Sequence, residues 1–370
     1  MDRIRLALTI STMPRMTHGS LYLPHSHSHI NAQFHRRFLR LNPLTYSIMS
    51  RTLRFATVDV FTTQRYSGNP LGVVFLPPQS EKLLTQEEKQ LIAREFNYSE
   101  TIFVHPHEAG STQRAIDIFT TDEELPFAGH PTIGAVSWFL GLSPDEQDRN
   151  VTTLVTKSGP IAMSRVPSSP GVVAADIAHN VHIHAARFPL SELVRLHPSL
   201  AKFLPTDGDF PIISVVKGMS QVHVQLPSLE ALAAVEPPVG GEDVPCNAAS
   251  KGGYLDDGWE GPGLLLLYFH VPNVQDEVTG KTVIRSRMVL RNEEDPATGS
   301  AASGLVAYLS LTSSDPSKTV FDYHVVQGVE MGRRSDIGLS VRLSGDGERK
   351  IETLTLKGSS VQFSSGELRI

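Results

Sequence analysis

The 370-residue chain has a single cysteine, Cys246. One thiol cannot build an internal disulfide framework or a Cys-only metal cage, and a reducing compartment is the plain reading. Long apolar runs are also missing. The longest, Leu264 to Phe269, falls far short of the roughly 20 residues that a membrane-spanning helix needs, and it reads as a buried strand. Nor is there an excess of positive charge. With 33 Lys and Arg against 39 Asp and Glu, nothing points to nucleic acid or an acidic membrane as a partner. The common cofactor and nucleophile signatures fail too. Gly280-Lys281-Thr282 imitates the end of a P-loop, but Gln275 stands where its first Gly belongs. No G-x-G-x-x-G follows a strand, and Gly218-Met219-Ser220 lacks the second Gly of a nucleophile elbow because Val222 is there.

What is present is an ordinary globular composition, 40% hydrophobic and 19% charged, with enough chain for two domains. The first fifty residues stand apart. Arg3, Arg5, Arg15, Arg36, Arg37 and Arg40 accompany one acid, Asp2. This is the composition of a mitochondrial presequence, although a disordered extension or a start at Met49 fits equally. The protein is expected in the cytoplasm, or in the mitochondrion if the segment is a presequence. His25, His27 and His29 alternate with serines and read as solvated side chains.

Globular sequence begins near Arg54. Alternating or short apolar runs predict strands at Phe55–Phe61, Leu71–Leu76, Thr101–Val104 and Arg114–Thr120. Thr85 with Glu88 three residues on forms a capping box ahead of a helix to Phe96, in which Leu91, Ile92 and Phe96 fall near one face. Gly68-Asn69-Pro70 is turn chemistry that either only turns or also lines a site. Further strands follow, with short helices near Ser191–Leu200 and Leu229–Val235 and an irregular connection from Pro237 to Gly263. His105 and His107 flank Pro106 without an obvious third ligand, and no metal site is expected.

Two stretches carry the chemistry. In ELPFAGHPTIGAVSWFL (Glu124–Leu140), Pro131 suits the first turn of a helix, and His130 is placed just before the helix start. Gly129 supplies a backbone geometry that a Cβ resists. Free N–H groups and the positive end of the helix dipole favour an anion there. EDPATGSAASGLVAYL, from Glu294, repeats the design, with Asp295-Pro296 set against His130-Pro131. Each is preceded by a strand and an acidic turn, a weak internal repeat that suggests two similar α+β halves. Glu100, between a predicted helix and a strand, joins His130 and Asp295 as a junction residue. A carboxylate shielded from water can shuttle a proton with its pKa raised toward neutrality, and an imidazole can donate or accept a hydrogen bond beside it. No sequence spacing brings the three together.

NYSET (Asn97–Thr101), FAGHPTIGA (Phe127–Ala135), EDPATGSA (Glu294–Ala301) and QGVEMGR (Gln327–Arg333) closely resemble the PhzF-like phenazine-biosynthesis family, and DVFTTQRYSGNPLGVVF (Asp59–Phe75) resembles its first strand and loop. The resemblance runs from about residue 54 to the end. It implies the diaminopimelate epimerase fold: α+β, two similar domains, each a β-barrel-like sheet around a central helix, with the active site between them and a homodimer. Residues 51–166 are then the first domain, to which 357–370 is expected to return, and 167–356 the second. It also implies a cofactor-independent isomerase acting on a small carboxylate-bearing substrate. The family glutamate that moves a proton between carbons of a cyclic dihydro-hydroxyanthranilate falls on Glu100. The residues that hold and polarise the substrate fall on His130 and Asp295, and backbone groups at Gly129, Gly299 and Ser300 are expected to take the carboxylate. A two-thiol racemase is excluded by the cysteine count. Arg334 stands where the family often has Pro, which leaves the substrate open. The rival reading is a catalytically silent member of the fold that binds a metabolite or a protein.

Overall fold

The computed structural model describes residues 51–78, 84–261, 263–345 and 348–370. The arginine-rich start and His25, His27 and His29 lie outside them. In chain order the first half is β1 (Thr52–Val60), β2 (Asn69–Phe75), α1 (Gln86–Phe96), β3 (Glu100–Val104), β4 (Gln113–Phe119), β5 (Glu124–Leu125), α2 (Gly129–Ser137), β6 (Thr153–Thr156), β7 (Gly159–Arg165) and β8 (Val173–Asp176). Then come β9 (His182–Ile183), β10 (Phe188–Pro189), α3 (Leu190–Leu196) and β11 (Asp209–Phe210). The second half is β12 (Ile212–Val216), β13 (Met219–Gln225), α4 (Leu229–Ala233), β14 (Leu266–Gln275), β15 (Thr282–Leu290), β16 (Glu293–Asp295), α5 (Gly299–Leu311), β17 (Val320–Gln327), β18 (Ser335–Leu343) and β19 (Ile351–Gly358), with β20 (Ser360–Arg369) last.

Both halves pair their strands by one scheme. β1–β2 is antiparallel, β2–β3 parallel, β3–β4 antiparallel, β4–β6 parallel, and β6–β7 and β7–β8 antiparallel. The same sequence of senses recurs in β12–β13, β13–β14, β14–β15, β15–β17, β17–β18 and β18–β19. A parallel pair needs a crossover between its strands. α1 and α4 lie in two of these crossovers, and α2 and α5 in the other two. The halves also exchange strands: β9, after the first half, pairs with β12, while β20, after the second, returns to β1. β8 and β19 join the two sheets edge to edge. The architecture is α+β, two similar sheets each wrapped around one central helix.

The central helices are buried because neither carries a charged residue to turn toward water, the pattern of a helix enclosed on all sides. Every residue of α2 is buried, as are nine of the thirteen in α5. A continuous apolar core joins Ile133 and Val136 of α2 to Ala301, Leu305 and Val306 of α5. Each helix has a glycine five positions after its first residue, and there a strand comes close. A Cβ on Gly134 would lie 2.2 Å from Leu71, and one on Gly304 2.8 Å from the Gln221 amide oxygen.

Amphipathic helices cover the outside. α1 has the capping box read from Thr85 and Glu88, and it buries Lys89, Ile92 and Ala93. The sequence reading placed Leu91 on that face; it is 62% exposed instead. Positions 89, 92, 93 and 96 make the helical stripe, and Leu91 falls off it. Leu193 and Leu196 of α3 and Leu232 of α4 join Cys246 in a separate outer core. Burial raises the Cys246 thiol to about 11, so it is an inert apolar side chain there.

Candidate active site

The starts of α2 and α5 abut. A Cβ on Gly129 would come within 3.1 Å of the Gly299 backbone, and one on Gly299 within 3.3 Å of Gly129. Gly129 does not have a positive φ. Close approach, and not the special backbone geometry expected from sequence, is what calls for glycine. α2 begins at Gly129, so His130 is its second residue and lies inside the first turn. Neither helix has a side-chain cap: Ala128 and Thr298 occupy the N-cap positions without bonding a first-turn N–H through their side chains. Two positive dipole ends therefore converge with amides free of side-chain capping bonds, an arrangement suited to an anion.

Strand register corrects the internal alignment. Leu125 lies opposite Ile118 and Asp295 opposite Met288 in equivalent hairpins, and each helix starts four residues later. Asp295-Pro296 thus corresponds to Leu125-Pro126, and His130 corresponds to Ser300. Pro126 and Pro131 offered two ways to match Pro296, and only strand pairing chooses between them.

Glu100 is the first residue of β3, held beside Leu71 of β2. Its carboxylate accepts a 2.8 Å hydrogen bond from Nδ1 of His130. The His130 side chain is 3% exposed and that of Glu100 17%. Nε2 of His130 is buried without a protein partner. An orphaned polar atom in so enclosed a place is suited to a ligand group.

Asp295 reaches the same place from the second half. Its Oδ2 accepts a 2.6 Å bond from the Thr298 hydroxyl, and its Oδ1 a 2.7 Å bond from the Asn69 amide. Gln327 braces the turn, donating to the Asp295 carbonyl and the Thr298 hydroxyl and accepting from the Thr298 N–H and the Tyr268 hydroxyl.

The two carboxyls are pushed apart in proton affinity. Burial tends to raise Glu100, but hydrogen bonding and charge from His130, with the Ser99 hydroxyl, outweigh it and leave the pKa below the usual value. Asp295 is raised, first by burial and then by the Glu100 charge, against lowering contributions from Thr298, His130 and the Ala297 N–H. The sequence reading expected a shielded carboxylate to have its pKa raised, without saying which. The histidine partner holds Glu100 down, and Asp295 carries the upward shift.

The structure therefore gathers Glu100, His130, Asp295, Gly129 and Gly299 around one point. Ser300 follows Gly299 into the first turn of α5, half-buried. Asn69, Thr298 and Gln327 were not singled out from sequence. Asn69 lay in the turn left open as a site loop, and Gln327 in the last of the quoted motifs. Arg334 pairs with Asp276 and Asp336, and its carbonyl accepts from the Gly68 N–H and the Ser67 hydroxyl. It thus helps to seat the loop before Asn69.

Two clusters among the described residues have the donors for a metal ion, His182–His184–Asp256 and His107–Asp145–Asp148. Neither includes the residues above. A cavity of about 520 Å³ lined by Lys89, His105 and Glu108 excludes them too. No helix among the described residues is long and apolar enough to cross a membrane.

Comparison with known proteins agrees with the site motifs. The family model described as phenazine biosynthesis-like protein matches residues 58–261 and 267–366. Over 319 residues the chain is 30% identical to a trans-2,3-dihydro-3-hydroxyanthranilate isomerase of Pseudomonas aeruginosa, covering 85% of this chain and 98% of that protein. An uncharacterized isomerase of Mesorhizobium japonicum is 29% identical over 330 residues, 86% of this chain and all of its own. Among solved structures, a Bacillus anthracis phenazine biosynthesis protein of the PhzF family superposes with a TM-score of 0.62 at 22% identity, covering 86% of this chain and 100% of that one. A hydroxyproline epimerase from Agrobacterium vitis does so with a TM-score of 0.52 at 11% identity, covering 86% and 93%. These likenesses bear on the fold alone. With its motifs, its fold and a family match over most of its length, the chain belongs to the phenazine biosynthesis-like (PhzF) family of isomerases.

Proposed function

We propose that the protein moves a proton between carbons of a small, carboxylate-bearing, cyclic substrate, with Glu100 as the general acid and base and no cofactor. The observation that carries this reading is the Glu100–His130 hydrogen bond of 2.8 Å at the meeting point of two helix starts. The helix starts receive the substrate carboxylate through the Gly129, Gly299 and Ser300 backbone. Glu100, ionised because His130 holds its pKa down, removes a proton from carbon. The electron pair of the broken C–H bond enters the adjoining π system, and the protonated Glu100 returns the proton to another carbon. Substrate and product contain the same atoms, so no redox partner is required. His130 offers Nε2 to a polar group of the substrate. Asp295, the carboxyl with the higher proton affinity, holds a second polar group, as acceptor or, when protonated, as donor.

The 30% identity to a trans-2,3-dihydro-3-hydroxyanthranilate isomerase supports a ring-containing amino acid as the substrate class. In deuterated water the wild type should put deuterium into such a substrate, and Glu100→Gln should not, while ligand affinity and folding stay nearly intact. Undiminished turnover in that variant would sink the assignment. A wild type that binds the ligand but exchanges no proton would favour the silent binder. The working unit is proposed to be a homodimer, to be checked by light scattering on the purified chain.

A further inference from the structure

We infer that Asn69 is a positioning residue for this chemistry: its side-chain amide spans the two halves and sets the orientation and proton affinity of Asp295. Asn69 is 1% exposed and opens β2, in the first half. Its Nδ2 donates to Asp295 Oδ1 at 2.7 Å and to the Ala297 carbonyl at 3.2 Å, both in the second half. Two acceptors therefore fix which way the amide faces. A flipped amide would set its oxygen against a carboxylate and a carbonyl. The correctly placed Oδ1 lies 3.3 Å from the Ser99 hydroxyl. That hydroxyl has one proton, and it also reaches the Glu100 carboxylate. A short chain of polar groups thus runs from Glu100 through Ser99 and Asn69 to Asp295.

The second half holds Asn69 in place. Arg333 donates through Nε to the Gly68 carbonyl at 2.9 Å and through Nη2 to Asp59 at 2.8 Å, while the Gly68 N–H donates to the Arg334 carbonyl at 2.9 Å. The groups that face the Asp295 carboxyl are Glu100 and His130 as charges, and the Thr298 hydroxyl, the Ala297 N–H and the Asn69 amide as donors. Among the donors, Asn69 alone comes from the opposite half. A donor to a carboxylate favours its ionised form, so removal of the amide raises the proton affinity of Asp295. It also frees Asp295 to turn away from the substrate.

The test has two arms, because the turnover arm rests on the proton-transfer reading above and the titration arm does not. In the resting protein, ¹³C-labelled aspartate carboxyls are titrated by NMR, with Asp295 assigned from the resonance lost in Asp295→Asn. Asn69→Ala should move the Asp295 titration to higher pH and lower kcat about 10- to 100-fold with KM changed less than about threefold. Ser99→Ala, which keeps the Asn69 donor, should leave the Asp295 titration near its wild-type position. If Asn69→Ala does not fold, Asn69→Ser is titrated in its place and should show the same upward move. An unmoved Asp295 titration overturns the inference while wild-type turnover stands. A moved titration with unchanged kcat overturns the positioning role. A wild type that turns over no cyclic carboxylate sinks the functional reading and leaves the titration result intact.

Discussion

In the first half the chain leaves β5 at Leu125, passes Pro126 and starts α2 at Gly129; in the second it leaves β16 at Asp295, passes Pro296 and starts α5 at Gly299. The backbone device is the same, down to the missing side-chain cap. The polar side chains at the matching places differ. Leu125 is apolar where Asp295 is a carboxylate, and Ser300 is small where His130 is an imidazole. Glu100 opens β3 where the equivalent strand β14 opens with Leu266. The duplication supplies two like helix starts that abut, an arrangement suited to an anion. The titratable groups at this point are spread unequally, Glu100 and His130 on one side and Asp295 on the other, and this inequality drives the Glu100 and Asp295 proton affinities apart.

Making the halves more alike should therefore damage the chemistry, and the largest expected effect lies at His130. His130→Ser copies the second half into the first. It should lower kcat by about 10²- to 10³-fold and move the acid limb of the kcat/KM profile to higher pH, since Glu100 loses the partner that outweighs its burial. A fall of less than about threefold would break the asymmetry. Gly129→Ala presses a methyl group against the Gly299 backbone and should cost about 10²-fold in kcat by spreading the helix starts. Gly299→Ala sharpens the comparison. Its nearest obstacle is the movable Leu356 side chain at 3.2 Å, and the expected loss, measured in the same assay, is about tenfold.

A smaller effect concerns stability. The Asp295 pKa is raised on folding, so the stabilising form is the protonated one, present below the unfolded pKa and lost as pH rises through the folded value. Above the unfolded pKa the raised group therefore opposes folding. Asp295→Asn should raise the melting temperature at pH 7 by about 2–4 °C while removing activity, and the gain should vanish as pH falls below the ordinary carboxylate range. A melting temperature that drops at pH 7 would contradict the raised pKa. The smallest effect is the control: Thr85→Ala removes the cap of α1, whose hydroxyl accepts from the Glu88 N–H and bonds none of the site residues. It should cost about 1 kcal/mol by denaturant titration and leave kcat unchanged.

Some boundaries were legible to within a residue or two, while others, such as the start of β1 and the ends of α3 and β14, were missed by three or more. β3, predicted from Thr101, begins at Glu100, and β4, predicted from Arg114, begins at Gln113. The capping box at Thr85 formed as read because both of its bonds lie within four residues. His130 and Asp295 stood out for a similar reason, since each sits at a junction marked by Gly or Pro, whereas Glu100 lies at a helix-to-strand junction that has neither. What escaped depended on partners far along the chain. Asn69 looked like turn chemistry because its acceptors, Asp295 and Ala297, are more than two hundred residues away. Leu91 looked buried because it neighbours Ile92, and only packing shows which side of the stripe meets the sheet.

The sequence by itself determined most of the elements and, through its motif resemblance, the family and the candidate residues Glu100, His130 and Asp295. The elements follow from backbone propensities and from glycine and proline, which act over a few residues. Tertiary structure alone decided that Asp295 matches Leu125 and not His130, that the halves exchange β9 and β20, and that Glu100 is the acid with the lower pKa. Strand register and local electrostatics arise from which groups meet across the fold, and that meeting is not written in any short stretch of the chain.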